Sequence, residues 1–211
     1  MNYLELHIGV NLETQKIGSN VHDDFRPEEI DYFLNEAVKD YIKQQYSNIK
    51  NEERNIESQY VVENLRTLIE TTNLANIAEV SYLPNTIKGD LPGDYLYYLF
   101  ARTQSDDSWK NNRKLESKGI KDYIETEFNS PIFREFPLLI EGNDVLVIGN
   151  ATTTLGVSSE ISFTYIKKPE KISLENNESK EFESLPEHTH QEIVNIASGK
   201  ILQIIAPRQQ E

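Results

Sequence analysis

The sequence predicts an α+β fold: an N-terminal amphipathic helical hairpin, a central antiparallel β region and a C-terminal helix. Three observations lead there. Apolar residues recur at three-and-four spacing over residues 30–42 and 56–69 and again over 193–205. Between them the pattern changes to short aromatic and branched runs separated by Gly, Pro, Asn and Asp. The order is therefore helices, then strands, then a helix. We expect a helical region over 1–78, a β-rich region with long polar loops over 79–183, and a C-terminal helix over 184–211 that packs back on the helical region as one compact unit.

Each element has its own signal. Over 2–16, Leu4, Leu6, Ile8, Val10 and Leu12 alternate like a strand, while Leu4, Ile8 and Leu12 also fit a helix stripe; we read a helix broken by Gly18, Ser19 and Asn20. Pro27 suits the first turn of the next helix, and Glu28, Glu29 and Asp31 sit where the positive end of the helix dipole favours them. Ile30, Phe33, Leu34, Ala37, Val38, Tyr41 and Ile42 form its buried face. Ile56, Tyr60, Val61, Leu65, Leu68 and Ile69 predict a third helix, antiparallel to the second. Val80–Pro84 is short and extended, and Lys88–Asp94 is a turn cluster. Tyr95–Arg102 is a strand, and the polar stretch from Gln104 to Lys118 is a loop. Ser130–Pro137, with a proline near each end, reads as irregular or edge structure. Residues 138–148 form a hairpin across Gly142-Asn143, and Glu160–Lys167 alternates as a further strand. Leu185-Pro186-Glu187 opens the last helix, with Ile193, Ile196, Ala197, Ile201, Ile204 and Ile205 buried.

The chain of 211 residues is long enough for a sizeable core, and its 11 Tyr and 8 Phe supply much burial area per residue. It contains no cysteine, which excludes a disulfide framework, a thiolate metal site and a cysteine nucleophile. A net charge of −14 repels phosphate at long range and disfavours a nucleic-acid clamp. No apolar run is long enough to span a membrane, and the first ten residues lack the basic start of a signal peptide.

Catalytic chemistry finds no support. His188 and His190 stand two apart at a helix start and do not share a helix face, so a metal reading lacks convergent ligands. Asp23, Asp24, Glu28, Glu29 and Asp31 lack calcium-loop spacing and read as helix-start acids. Asp90 and Asp94 read as turn formers beside Gly and Pro. No phosphate-binding glycine motif or nucleophile motif occurs. We therefore expect no enzyme, no catalytic residue, no metal and no cofactor. Tyr95, Tyr97, Tyr98 and Phe100 allow an alternative, a β-rich carbohydrate- or peptide-binding module, although a strand in a sheet core explains them as well.

Three runs carry a resemblance. The first is VHDDFRPEEIDYFLNEAVKDYIKQQY at 21–46; the second is the strand pair 138–148 and 160–169 ending in YIKKP; the third is LPEHTHQEIV at 185–194. In order and spacing they resemble the neck and ring proteins, the head-to-tail connectors, of crAss-like short-tailed phages. The resemblance implies a virion structural protein, assembled in the host bacterial cytoplasm, that forms a homododecameric ring around the DNA channel. Its implied partners are itself, the portal protein and neighbouring neck or tail rings. DNA would pass without sequence-specific binding along an acidic wall. Within such a ring, the basic stretch 102–121 would dock on the acidic helix start of a neighbour. The expected interface residues are Trp109, Lys110, Arg113 and Lys114 on one side and Asp23, Asp24, Glu28 and Glu29 on the other.

Overall fold

The computed structural model describes residues 1–17, 25–51, 62–83, 85–105, 108–115, 135–149, 154–175 and 178–205. The fold is α+β, with helices, a mixed eight-stranded sheet and a C-terminal helix. The chain divides into two units, residues 1–68 with 169–211, and residues 69–168. The β unit thus begins at Ile69, ten residues before the boundary the sequence suggested, and the chain rejoins the helical unit at Pro169 rather than after 183.

The helical unit holds α1 (Tyr3–Ile17), α2 (Pro27–Asn51) and α3 (His190–Ile205). α3 packs on both α1 and α2. Gly9 permits the close approach of α1, since a Cβ there would lie 3.2 Å from Val194 Cγ1. Asn2 and Glu5 cap α1 reciprocally: Asn2 Oδ1 accepts the Glu5 N–H at 2.7 Å and Glu5 Oε2 accepts the Asn2 N–H at 2.9 Å. Glu29 accepts the Arg26 N–H at the start of α2 at 3.0 Å. The buried face of α2 is the expected one, with Ile30, Leu34, Ala37, Val38, Tyr41 and Ile42 in the core and Phe33 half-buried.

The face of α1 is not the expected one. Tyr3, Leu6 and Val10 are buried with His7 and Thr14, while Leu4, Ile8 and Leu12 are exposed. Both stripes are apolar at helical spacing, so the pattern fits either rotation of the helix. Ile204 of α3, expected inside, is also exposed.

The return segment, 169–183, is sewn to the helices through side chains four apart on α2. Asp31 accepts the Leu174 N–H, and Asn35 takes both polar groups of the Ile172 backbone. Asp31 also meets His7 Nε2 at 2.8 Å, so one carboxylate ties α1, α2 and the return segment together. A short antiparallel bridge between Asn2 and Glu181 fixes the start of the chain.

Of the third predicted helix, residues 52–61 lie outside the described residues. The rest of it is one helical turn at 62–64 and a 3-10 turn, Arg66–Leu68, after which the chain turns extended. Ile69 belongs to a strand. The apolar spacing of Leu65, Leu68 and Ile69 is helical, but Thr71 and Thr72 are β-branched and pair into the sheet, with Thr71 bonded to Thr164 at 2.8 Å.

The sheet comprises β1 (Ile69–Asn73), β2 (Ala78–Glu79), β3 (Thr86–Asp90), β4 (Tyr95–Ser105), β5 (Ser108–Lys114), β6 (Phe136–Glu141), β7 (Asp144–Ile148) and β8 (Ile161–Lys167). Their order is β1-β8-β4-β5-β6-β7-β3-β2. All pairs are antiparallel except β5 with β6, which is parallel, so the expected antiparallel region is in fact mixed. β1 and β2 stand at opposite ends of this order yet are joined by residues 74–77 alone. A link that short forces the sheet to curl until its two ends approach. The Asp90 N–H, from β3, bonds the Ala75 carbonyl within that link at 3.0 Å. Ile87 of β3 and Phe163 and Tyr165 of β8 accordingly share one core with Tyr98, Phe136, Leu138, Val145 and Val147.

Lys88 to Asp90, expected in a turn, are the end of β3; the turn comes after them at 91–94. Gly89 is there for space rather than for a turn. A Cβ on it would lie 2.9 Å from both Leu74 Cβ and Ile77 Cδ1. The hairpin β6–β7 and strand β8 match the sequence reading, and Gly142 takes a positive φ of 60° in the hairpin turn. Pro137, read as marking irregular or edge structure, lies inside β6 opposite Arg113 of the parallel neighbour.

Candidate interface

Residues 108–114, expected in a loop, form β5, antiparallel to β4. The register pairs Ala101 with Asn112, Arg102 with Asn111, Thr103 with Lys110 and Gln104 with Trp109. Strand alternation then sorts the side chains into two faces. Asn112 and Thr103 point into the curled sheet, where Thr103 Oγ1 donates to Asn112 Oδ1 at 3.0 Å, and both residues are buried. Among the described residues, Asn112 Nδ2 has no hydrogen-bond partner there.

Lys110 and Lys114 share that inner face. Lys110 Nζ lies 4.9 Å from the centre of the Phe136 ring and Lys114 Nζ lies 5.4 Å from that of Tyr98. The four basic-arm residues expected at one interface are therefore divided. Trp109 and Arg113 face the other way, with Arg102 and Phe100 of β4 beside them. Trp109 and Phe100 are 46% and 49% exposed, and the Arg102 guanidinium lies 5.7 Å from the Phe100 ring centre. The sequence reading placed Phe100 in an aromatic strand run and Arg102 in the basic stretch, and did not join either to Trp109 and Arg113. The signal that would have found them is the hairpin itself: once Trp109 is placed opposite Gln104, Arg102 and Phe100 fall on the same face.

On the acidic side, Asp23 and Asp24 lie outside the described residues. Glu28 and Glu29 are exposed in the first turn of α2 as expected, with Glu29 also engaged by the Arg26 N–H. Asp31 is committed to His7 and Leu174. Tyr32, one turn after Glu28, is 62% exposed.

The remaining sequence candidates separate. His188 Nε2 meets Asn64 Oδ1 at 2.8 Å, whereas His190 is buried with Nε2 donating to the Leu185 carbonyl at 2.9 Å. Burial pushes the His190 imidazole pKa down from its ordinary value. Asp90 bonds Asn76, while Asp94 accepts the Tyr165 hydroxyl at 2.8 Å. Burial first, and that carboxylate second, hold the Tyr165 hydroxyl well above its usual range. Among the described residues no group of three or more His, Asp or Glu is placed to hold a metal ion, and no helix is long and apolar enough to cross a membrane.

The aromatic run of β4 does not present one platform. Register shifts at 95–97 and 98–100 break its alternation, so Tyr95 and Tyr98 both turn into the core against Phe163 while Phe100 faces outward.

No protein-family model matches the chain, and no curated protein matches it.

Proposed function

We propose that the protein is a non-catalytic assembly subunit, one member of a homo-oligomeric ring in the neck of a short-tailed phage, joining portal to tail around the DNA channel. The observation that carries the assembly reading is the outward face of β4 and β5. Two large rings, Trp109 and Phe100, stand half in water beside Arg102 and Arg113. Trp and Arg dominate the binding energy of protein interfaces, and rings left half-exposed gain from being covered. Placement in the neck is supported by the three sequence runs at 21–46, 138–169 and 185–194.

The mechanism is geometric. Each subunit presents one patch to the next, and identical rotations close a ring. The ring adapts portal to tail, and a net charge of −14 suits a wall along which DNA slides without sticking. Native mass spectrometry over a concentration series tests the reading. Growth of a single closed oligomer supports it. A monomer at every concentration, with melting shifts on adding oligosaccharides or peptides, favours the binding-module alternative instead.

A further inference from the structure

We infer that the outward face of β4 and β5 receives the first three turns of α2 from a second copy of the chain, an inference that rests on the assembly reading above. The face offers two guanidinium groups and two half-exposed rings. Its occupant should therefore carry carboxylates that flank an aromatic ring. One edge of α2 has that composition, with Glu28, Tyr32 and Glu36 four residues apart. Glu28 and Tyr32 are exposed, and Glu36 is half-exposed, paired with the solvent-facing Lys39 of the next turn. A pair that open to water is weak and leaves the carboxylate able to exchange partners. Glu28 and Glu36 are separated by about 12 Å along the helix axis. Arg102 sits opposite Asn111, two residues from Arg113, which places the two arginine Cα atoms about 8 Å apart on the sheet. Long side chains on both partners close that difference. Tyr32 then lies against Phe100, the ring beside both arginines, and Trp109 stands beyond Arg102 on the same face.

Charge selects this arrangement. Two copies each carrying −14 repel in most approaches, and the arginine face is where one copy attracts the other. A second exposed apolar surface among the described residues of the helical unit, Leu4, Ile8 and Leu12 on α1, does not answer the arginines. Its four-residue spacing holds no carboxylate and continues to Lys16, a like charge. Because the face and the helix edge are different patches, the contact is heterologous and propagates around a ring.

The test is a charge exchange followed by sedimentation velocity. One variant carries Arg102→Glu with Arg113→Glu, and the other carries Glu28→Arg with Glu36→Arg. Each alone sets like charges against each other, and association should weaken by about 30-fold or more. Mixed in equal amounts, the reversed face of one matches the reversed edge of the other, and association should return to within about 10-fold of the unaltered protein. Far-UV circular dichroism and melting confirm that each variant is folded. Trp109→Ser, which leaves the charges alone, should weaken association to a similar degree. Variants that associate like the unaltered protein, or a folded mixture that does not recover, overturn the inference while leaving the assembly reading in place. An unaltered protein that stays monomeric to about 1 mM overturns both.

Discussion

Asn35→Ala removes one of the two side chains through which α2 holds the return segment. Asn35 Nδ2 donates to the Ile172 carbonyl at 2.8 Å and to the Asp31 carbonyl at 2.7 Å, and Asn35 Oδ1 accepts the Ile172 N–H at 3.0 Å. Ile172 itself is buried, so its backbone groups have little access to water once the amide is gone. The two hydrogen bonds to Ile172 at about 1 kcal/mol each, plus the desolvation of the Ile172 groups left behind, give a loss of about 2–4 kcal/mol. In urea, with a slope of about 2 kcal/mol/M, the unfolding midpoint should fall by about 1–2 M with the slope unchanged. Asn35→Asp sharpens the assay. It keeps the acceptor for the Ile172 N–H but sets a carboxylate oxygen against two carbonyl oxygens, so at neutral pH it should cost at least as much. A stability for Asn35→Ala within about 0.5 kcal/mol of the parent, or an Asn35→Asp variant as stable as the parent, refutes the reasoning.

Tyr165→Phe leaves the ring packed against Phe163 and removes only the bond to Asp94, so denaturant unfolding should show a loss of about 1–2 kcal/mol. Gly89→Ala forces a methyl against Leu74 and Ile77, and should lower stability by about 1–3 kcal/mol in the same assay. His190 gives a pH dependence. Its folded pKa lies below the unfolded value, so the unfolded chain binds the proton more tightly. The contribution of His190 to stability is complete above about pH 6.5 and is lost as pH falls from there towards the folded value. Melting points at about pH 7.5 and about pH 5.5 should differ more in the parent than in His190→Gln, and equal differences contradict the assignment.

The parts of the fold legible in the sequence are those with one apolar face or one strong turn. The α2 stripe has a charged opposite side, so its orientation is unambiguous. β6 and β7 are short, branched and joined by Gly142 and Asn143, which allow little else. The misplaced parts lack that asymmetry. α1 is apolar on two sides, and its sequence fits either rotation. β5 reads as a loop because Ser108, Lys110, Asn111, Asn112 and Arg113 are polar, but its neighbours supply the apolar surface. The Lys110 and Lys114 ammonium groups lie over the Phe136 and Tyr98 rings, and Asn112 bonds Thr103. The same loop reading grouped Lys110 and Lys114 with Trp109 and Arg113, whereas the register sets the two pairs on opposite faces. Local composition marks the segment as basic and polar, and only the strand register decides which of its side chains face outward.

The assembly account is tested most directly by negative-stain microscopy of the purified protein at high concentration. It predicts closed rings of about a dozen subunits around a central hole, the symmetry that matches a portal. Fields of separate monomers, or compact dimers without a hole, would contradict it.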